Sequence, residues 1–194
     1  MSTVRPLVVV LAAGSGSRFA GPQHKLVSTL GGARLIDHAV RSAVAAEVGP
    51  VVVVTGATEL DLPDGVTPLP NPDWERGLAS SLQVAVSFAR NQGFSTIVVG
   101  LGDQPLVSPE AWRVVAAADS PIAVATYGGT RGNPVKLESR TWAELPSVGD
   151  EGARLVMRQH PDWVKEVPCA GSAFDVDTTQ DLDALMKTTD GTDN

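Results

Sequence analysis

The stretch from residue 7 to residue 18 reads Leu7-Val8-Val9-Val10-Leu11-Ala12-Ala13-Gly14-Ser15-Gly16-Ser17-Arg18. Its first five residues are apolar and mostly β-branched, which is typical of a strand covered on both faces, as in a parallel sheet. Small residues and a cation follow at once. Small side chains let the backbone approach a ligand closely, and successive amides can then bind an anion. The stretch therefore predicts a buried strand that ends in an anion-binding loop, although a glycine-rich turn would read similarly.

Short apolar runs predict three further strands, at 51–54, 97–99 and 122–125. Helical spacing of apolar residues, together with capping residues, predicts five helices, at 35–44, 78–89, 110–118, 151–158 and 180–186. Of these caps, Asp150 is predicted to cap the fourth helix and Thr178 the fifth. Strands alternating with helices indicate an α/β fold with three layers, an open, mostly parallel, Rossmann-like sheet with helices on both faces. Ligands of such sheets bind beyond the carboxyl ends of the strands.

The chain shows no internal repeat and no linker, which predicts a single domain over 1–186 followed by a polar tail over 187–194. The net charge of −7 and the lack of a Lys/Arg-rich run argue against a nucleic-acid partner. No apolar run approaches the roughly 20 residues that span a bilayer, so no membrane partner is expected. The single cysteine, Cys169, cannot form an internal disulfide, which suits a cytoplasmic location.

Two common phosphate-binding motifs do not fit the loop over 11–18. A P-loop would close with Gly-Lys-Ser/Thr, and no such triplet occurs. A dinucleotide-binding turn would have a third glycine where Phe19 stands and an acid at the end of the second strand, where Thr55-Gly56 follows. The loop is therefore predicted to be a different phosphate cradle, with charge supplied by Arg18 and Lys25.

Acidic residues follow two predicted elements. Asp103, within Gly102-Asp103-Gln104-Pro105, comes directly after a strand, where one carboxylate can hold Mg²⁺ and leave its other positions to phosphate and water. Asp175 and Asp177 alternate in the manner of a strand, so they are predicted to point the same way and to complete a metal site. Plain turn and helix-capping chemistry competes with both interpretations.

Three polar clusters supply further candidates. Ser80 and Ser81 stand at the start of a predicted helix, where hydroxyls can bond a base or a phosphate or simply cap the helix. The segments 130–135 and 149–154 each combine glycine with arginine, which suits a second phosphate or a polar ring edge. Taken singly, each of these two segments also reads as a surface turn.

In this order, from Val8 to about Leu185, the segments resemble the molybdopterin nucleotidyltransferases of the NTP-transferase superfamily with a Rossmann-like fold. The resemblance is greatest to molybdenum cofactor cytidylyltransferases, because Ala13 stands where guanylyltransferase relatives usually have a second glycine. It departs from the family at Phe19, where many relatives have methionine, and at Asn133, where many have histidine. These departures bear on the acceptor more than on the triphosphate site.

The resemblance implies transfer of CMP from CTP to the terminal phosphate of molybdopterin, with release of pyrophosphate. It implies catalytic roles for Arg18, Lys25 and Asp103, and Mg²⁺ bound by Asp103 with Asp175 or Asp177. The implied nucleotide-binding residues are Leu11, Ala12, Ala13, Gly14, Ser15, Gly16, Ser17, Arg18, Lys25, Ser80, Ser81 and Asp103. The implied acceptor-binding residues are Gln104, Asn133, Asp150 and Arg154.

Alternatives stay open at this point. The nucleotide can be GTP, which would make the protein a guanylyltransferase of the same cofactor. The acceptor can be a sugar or polyol phosphate. A third alternative is a non-catalytic nucleotide-binding or cofactor-chaperone protein. A molybdoenzyme or its chaperone is a candidate protein partner.

Overall fold

The computed structural model describes residues 5–190. Its strands are β1 Leu7–Ala12, β2 Thr29–Leu30, β3 Ala33–Arg34, β4 Val51–Thr55, β5 Thr67–Pro70, β6 Thr96–Leu101, β7 Ile122–Tyr127, β8 Thr130–Glu138 and β9 Val164–Pro168. Its α-helices are α1 Leu35–Ala45, α2 Leu78–Asn91, α3 Pro109–Ala117, α4 Ala153–Gln159 and α5 Thr179–Asp190. Short 3-10 turns lie at Lys25–Val27, Trp74–Arg76, Ser139–Glu144 and Pro161–Trp163.

Seven strands form one sheet in the order β5-β4-β1-β6-β8-β7-β9, while β2 and β3 pair separately as a small antiparallel ribbon. All neighbouring pairs of the large sheet are parallel except those of β8, which runs antiparallel to both β6 and β7. The mostly parallel α/β fold predicted from the sequence is therefore confirmed. Strand β1 is the third of the seven strands and pairs with β6, the middle one, so the loop that follows β1 lies in the interior of the sheet and not at an edge.

Helices cover both faces of the sheet. Leu7 and Val9 of β1 point to a core shared with Leu82 and Val86 of α2. Val8 and Val10 point the other way, to a core completed by residues of α1 and α3 such as Ile36 and Trp112. Because successive side chains of a strand alternate between faces, the continuous apolar run of β1 serves both cores. Burying each such side chain contributes about 1.5–3 kcal/mol, so β1 is a main source of stability for both layers.

Three strands of the large sheet were missing from the sequence prediction. Strand β5 lies at one edge and contains Pro68 and Pro70, residues that remove ladder donors and are confined to such positions. Strand β9 lies at the other edge and is largely polar. Strand β8 is central but carries Arg131 and Lys136. The Lys136 side chain is buried, and its ammonium donates to the carbonyl of Ala118 at 2.6 Å and pairs with Glu138 at 3.3 Å, which compensates the buried charge.

The ends of all five helices lie within four residues of their predicted positions, and the predicted caps of α4 and α5 have different outcomes. Helix α4 begins at Ala153, and Asp150, its predicted cap, lies outside it and bonds to a different helix. Helix α5 continues to Asp190, while the Thr178 hydroxyl accepts from the Asp181 amide as predicted. Residues 191–194 of the predicted tail lie outside the described residues, and the proposed domain boundary stays a prediction. Within residues 5–190, no helix combines the length and apolar character needed to cross a bilayer.

Candidate active site

A cleft of about 530 Å³ opens where β1 and β6 end, and we refer to it as the first cleft. The position agrees with the expectation that α/β sheets bind ligands beyond their carboxyl strand ends. Nearly all of the predicted nucleotide-binding residues line it. They are Leu11, Ala12, Ala13, Gly14, Ser15, Gly16, Ser17, Arg18, Lys25, Ser81 and Asp103.

The loop after β1 lines this cleft, and most of its backbone amides make no hydrogen bond within the described residues. The amide of Gly102 donates to the carbonyl of Leu11 at 2.9 Å, which ties the ends of β1 and β6 together. Beyond that point, the amides of residues 14–18 have no hydrogen-bond acceptor within residues 5–190. Backbone N–H groups are strong donors that are normally paired. Successive unpaired amides at the mouth of a cleft form an anion-binding concavity.

His24 fixes this loop, a role that the sequence did not suggest. Its Nδ1 accepts from the amide of Leu26 at 3.2 Å, so Nε2 carries the proton and donates to the carbonyl of Gly14 at 2.9 Å. Gly16 packs over the same side chain, because a Cβ there would lie 3.4 Å from His24 Nε2 and 3.1 Å from Lys25 Cγ. One histidine therefore holds both the loop and the turn that contains Lys25. The position of His24 in the sequence, with no metal-ligand spacing to other residues, did not indicate this structural role.

Lys25 lies between two carboxylates. Its ammonium is 2.5 Å from Asp103 Oδ2 and 3.1 Å from Asp177 Oδ1. The other oxygen of Asp177 is 3.1 Å from Arg18. The Lys25 and Asp103 side chains are only 12% and 17% exposed, whereas Arg18 is 75% exposed, so the Lys25 pair is the better shielded from solvent.

Burial lowers the pKa of Lys25, but the charge of Asp103 and the hydrogen bonds to Asp103 and Asp177 outweigh it, and the pKa stays above its ordinary value. The ammonium is therefore charged throughout the neutral pH range. Two of its three N–H donors serve the carboxylates, which leaves one for a ligand in the cleft. The sequence predicted Lys25 and Asp103 for one site, and the structure brings them into contact.

A second cleft, of about 420 Å³, adjoins the first and shares Leu78, Leu101 and Asp150 with it. All four predicted acceptor-binding residues line this second cleft: Gln104, Asn133, Asp150 and Arg154. Two other arginines in it, Arg131 and Arg158, are paired with Glu166 and Glu151. Arg154 has no acidic partner among the described residues, so its charge is available to an anion.

Asn133 is positioned by an aromatic residue that the sequence did not single out. The hydroxyl of Tyr127 donates to the carbonyl of Asn133 at 2.7 Å. Gly132 allows this approach, since a Cβ there would lie 3.2 Å from the tyrosine ring and 2.7 Å from Ala173. Burial, and the neighbouring Cys169, raise the pKa of Tyr127 far above its ordinary value. The phenol is therefore neutral and remains a donor at all physiological pH values.

The structure corrects the expectation that Asp175 and Asp177 point the same way along a strand. No strand covers them: the buried side chain of Val176 anchors the segment, and the Val176 amide donates to the carbonyl of Asp103 at 3.0 Å. Asp177 lines the first cleft and Asp175 the second. Asp175 accepts from Gln104 Nε2 at 2.7 Å, and burial followed by repulsion from Asp103 raises its pKa.

These three acids do not form a common metal site. Within residues 5–190, no group of three or more His, Cys, Asp or Glu side chains has the arrangement of metal ligands. The pair that the structure does bring together is Asp103 and Asp177, through the Lys25 ammonium. Asp175 does not contact the Lys25 ammonium and accepts from Gln104 instead, although, besides burial, the charges of Asp103 and Asp177 are near enough to raise its pKa.

The two serines at the start of α2 have different surroundings. Ser80 is buried and does not line the first cleft, and its single hydroxyl proton lies between the carbonyl oxygens of Asp73 and Gly77, which are 3.0 and 2.8 Å from Oγ. Asn71 donates to both serine hydroxyls, at 2.9 and 3.0 Å. The structure therefore places Ser81 at the cleft and uses Ser80 to hold the preceding turn, which explains why two hydroxyls stand together.

Sequence reasoning missed Leu78 and Leu101 of the first cleft, and it gave Trp74 two alternative uses, covering a ligand or packing on the core. Trp74, Leu78 and Leu101 line this cleft, and each also packs against the α2-side core. Their sequence signal is the same as that of ordinary core residues, so only the fold distinguishes them. They give the first cleft an apolar part beside its polar loop.

Comparison with known proteins identifies relatives along most of the chain. The family model for the MobA-like NTP transferase domain matches residues 8–164. Nicotine blue oxidoreductase of Paenarthrobacter nicotinovorans is 30% identical, with 92% of this chain and 95% of the relative covered. The structure of a Mycobacterium tuberculosis Rv0371c homologue from Mycobacterium sp. strain JC1 is 24% identical, with a TM-score of 0.81 over 96% of this chain and 98% of that one.

A second solved structure is the manganese complex of Rv0371c from Mycobacterium tuberculosis H37Rv. It is 24% identical, with a TM-score of 0.75 over 95% of this chain and 100% of that one. Both structural likenesses concern the fold, and both cover the region that contains the two clefts.

Proposed function

The chain belongs to the family of MobA-like NTP transferase domains, and from that premise we propose that it transfers CMP from CTP to the terminal phosphate of molybdopterin. Family membership makes the protein a nucleotidyltransferase, which removes the alternative of a non-catalytic binding or chaperone protein. The nucleotide and the acceptor are the parts that we propose. Pyrophosphate would be the second product.

The observation that most supports a triphosphate ligand is that residues 14–18, whose amides have no acceptor within the described residues, line the same cleft as Lys25. Backbone dipoles and one nearby ammonium suit a polyphosphate, even though the net charge of the chain is negative. Arg18, at the exposed end of the loop, adds charge where the β- and γ-phosphates would lie. The apolar side with Trp74 and Leu78 suits the base.

A divalent cation fits the donor set of the first cleft. Asp103 and Asp177 each direct a carboxylate oxygen toward the Lys25 ammonium, at 2.5 and 3.1 Å, so the two oxygens lie near each other. Oxygen ligands are the ones that Mg²⁺ prefers, and it usually takes one or two carboxylates with substrate phosphates. Asp103 and Asp177 would hold the ion. When bound, it would neutralise charge on the phosphates. The manganese complex of a relative of the same fold is consistent with this assignment.

The second cleft suits an acceptor that carries a phosphate. Arg154 has no acidic partner among the described residues, and Asn133 adds a polar residue that suits the edge of a ring. Gln104 lines the same cleft, but its amide nitrogen already donates to the Ala173 carbonyl and to Asp175. Because the two clefts share Leu78, Leu101 and Asp150, reactants bound in them would lie next to each other. This adjacency is what a transfer between two bound molecules needs.

In the proposed reaction an oxygen of the acceptor phosphate forms a bond to the α-phosphorus of CTP. The bond from the α-phosphorus to the β-phosphate oxygen breaks, and pyrophosphate leaves with its negative charge. The attacking phosphate is already ionised, so no general base is required. The protein's work is then to hold two anions in line and to balance their charge, with Lys25 and Arg18 stabilising the leaving pyrophosphate.

Two features favour this reaction over the neighbouring alternatives. Ala13 is buried against Gly56 at the base of the first cleft, and it is the residue that resembles cytidylyltransferases. The relative named an oxidoreductase does not lead us to propose redox chemistry. Here β4 ends in Thr55 without the acid of a dinucleotide site, and Phe19 replaces the third glycine.

The proposal is tested by calorimetry with CTP, GTP and ATP in the presence of Mg²⁺, followed by pyrophosphate release with an acceptor panel. The panel contains the molybdenum cofactor, a sugar phosphate and a polyol phosphate. We expect the tightest binding with CTP and release only with the molybdenum cofactor. Faster release with GTP would make the protein a guanylyltransferase, and release with a sugar or polyol phosphate alone would overturn the proposed acceptor.

A further inference from the structure

Two segments meet at the boundary between the clefts, one at the start of α2 and one before α4. The amide of Gly149 donates to the carbonyl of Arg76 at 2.9 Å, and the amide of Ala79 donates to the carbonyl of Gly149 at 2.9 Å. Between these two bonds, Asp150 Oδ1 accepts from the amide of Leu78 at 3.1 Å. We call these three hydrogen bonds the clasp.

The clasp requires glycine at position 77. A Cβ there would lie 2.7 Å from Asp150 Oδ1 and 2.7 Å from the carbonyl oxygen of Gly149, closer than real Cβ atoms approach. The φ of Gly77 is 91°, a value that residues other than glycine rarely adopt. The segment before α4 can therefore approach the start of α2 only because residue 77 has no side chain and can adopt a positive φ.

Asp150 occupies the N-terminal end of α2, a helix of 14 residues. Free amides at a helix N-terminus attract anions, and here a protein carboxylate takes the amide of Leu78 while the Gly149 carbonyl takes that of Ala79. This end of α2 is therefore already satisfied, and the triphosphate is left to the loop over 14–18. A carboxylate in direct contact with either anionic reactant would also weaken its binding.

We propose that Asp150 is a positioning residue whose carboxylate, through the clasp, sets the separation between the nucleotide and the acceptor. The inference rests on the proposed function and revises the expectation that Asp150 contacts the acceptor. Leu78 and Asp150 line both clefts, whereas Arg154, in the first turn of α4, lines only the second. Holding the start of α4 against the start of α2 therefore places Arg154 relative to the loop that binds the triphosphate.

The test compares Asp150→Ala with Asp150→Asn in the full-length protein. An asparagine carbonyl oxygen can accept from the Leu78 amide, whereas alanine cannot. We expect Asp150→Ala to lower kcat by about 10- to 100-fold, the range that a displacement of about 1 Å produces, with CTP affinity little changed. We expect Asp150→Asn to recover most of that loss. Asp119→Ala removes an exposed carboxylate that lines neither cleft, and it serves as the charge-matched control.

Two results would overturn the proposal. One is an unchanged kcat in Asp150→Ala. The other is an equal rise in the KM of the acceptor in both variants with no change in kcat, which would indicate that the Asp150 carboxylate contacts the acceptor directly. Should the alanine variant fail to fold, loss of kcat in Asp150→Asn at normal CTP affinity decides against the proposal on its own.

Amide exchange in residues 76–79 keeps this test separate from that of the proposed function. Exchange should be faster in Asp150→Ala than in the unmodified protein, and normal in Asp150→Asn, whichever nucleotide and acceptor the protein uses. Normal exchange in the alanine variant would show that the Asp150 carboxylate does not hold the clasp. An inactive unmodified protein would count against the proposed reaction alone.

Discussion

The ammonium of Lys25 and the carboxylate of Asp103 are in contact at 2.5 Å although the two residues are 78 positions apart. The contact joins the turn that follows the loop over 14–18 to the segment after β6, and it places a cation and an anion at the same edge of the sheet. Asp177 reaches the same ammonium from the segment before α5. The polar end of the first cleft is thus assembled from three separate parts of the chain.

Lys25→Met is expected to tighten the binding of Mn²⁺ in the absence of nucleotide and to slow turnover with it. The ammonium holds both carboxylates that the proposed ion would use. Charge-assisted hydrogen bonds contribute about 1.5–3 kcal/mol, so the Mn²⁺ affinity should rise about tenfold or more. Titration followed by electron paramagnetic resonance measures free Mn²⁺ directly. Lys165→Met, which removes an exposed charge outside both clefts, should leave Mn²⁺ affinity and turnover unchanged. An equal effect in Lys165→Met would show that the change in affinity reflects only the net charge of the protein.

Asp103→Asn is expected to lower pyrophosphate release by about 100-fold or more while the thermal transition stays cooperative, because this carboxylate would hold the cation that neutralises charge on the reacting phosphates. Release and circular dichroism are measured on the same preparation. Asp119→Asn is the matched control on an exposed site. Near-normal release by Asp103→Asn would remove Asp103 from the catalytic residues.

His24→Ala is expected to weaken CTP binding by about 2- to 10-fold, the net value of one hydrogen bond of about 0.5–1.5 kcal/mol. The loss frees the Gly14 carbonyl and the turn that contains Lys25. Calorimetry measures the affinity. His38→Ala is the control, since His38 Nε2 bonds to the carbonyl of Leu30 away from the cleft. If both variants bind CTP equally, the loop does not depend on His24.

Asp175→Asn is expected to stabilise the protein at neutral pH. Burial and the Asp103 charge raise the pKa of Asp175 in the folded state, so the folded protein binds more protons than the unfolded chain between pH 3.8 and the raised value. Stability attributable to this group therefore falls as pH rises through that window. Asparagine keeps an acceptor for Gln104 and removes the charge. The gain in Tm should be present at pH 7 and vanish toward pH 3.8, and a gain that is independent of pH would exclude Asp175 titration as the cause.

Much of the architecture follows from local patterns. The apolar run of β1, the small residues after it and Asp103 at the end of β6 each have a cause within a few residues, namely burial on two faces, close backbone approach and the end of a strand. The helices on both faces follow from apolar spacing in the same way. These features predicted the fold class and most residues of the first cleft.

Other features depend on partners that are distant in the chain. Strand β8 lacks a clear apolar pattern because it contains charged residues such as Lys136. The ammonium of Lys136 can be buried only in the folded protein, where it donates to the carbonyl of Ala118. Asp150 caps α2 rather than its own neighbour α4, since the Leu78 amide lies within reach only after the two segments meet. Asp175 and Asp177 separate into different clefts because Val176 is anchored between them.

The sequence by itself determined four strands of the large sheet, the five helices, and the positions along the chain of the small-residue loop and of Asp103. The tertiary structure alone decided that Lys25 sits between Asp103 and Asp177, that His24 holds the loop, and that the two clefts share a wall. The physical reason is range: backbone preferences and side-chain periodicity act over a few residues, whereas hydrogen bonds and ion pairs join whichever groups the packed sheet brings within about 3 Å.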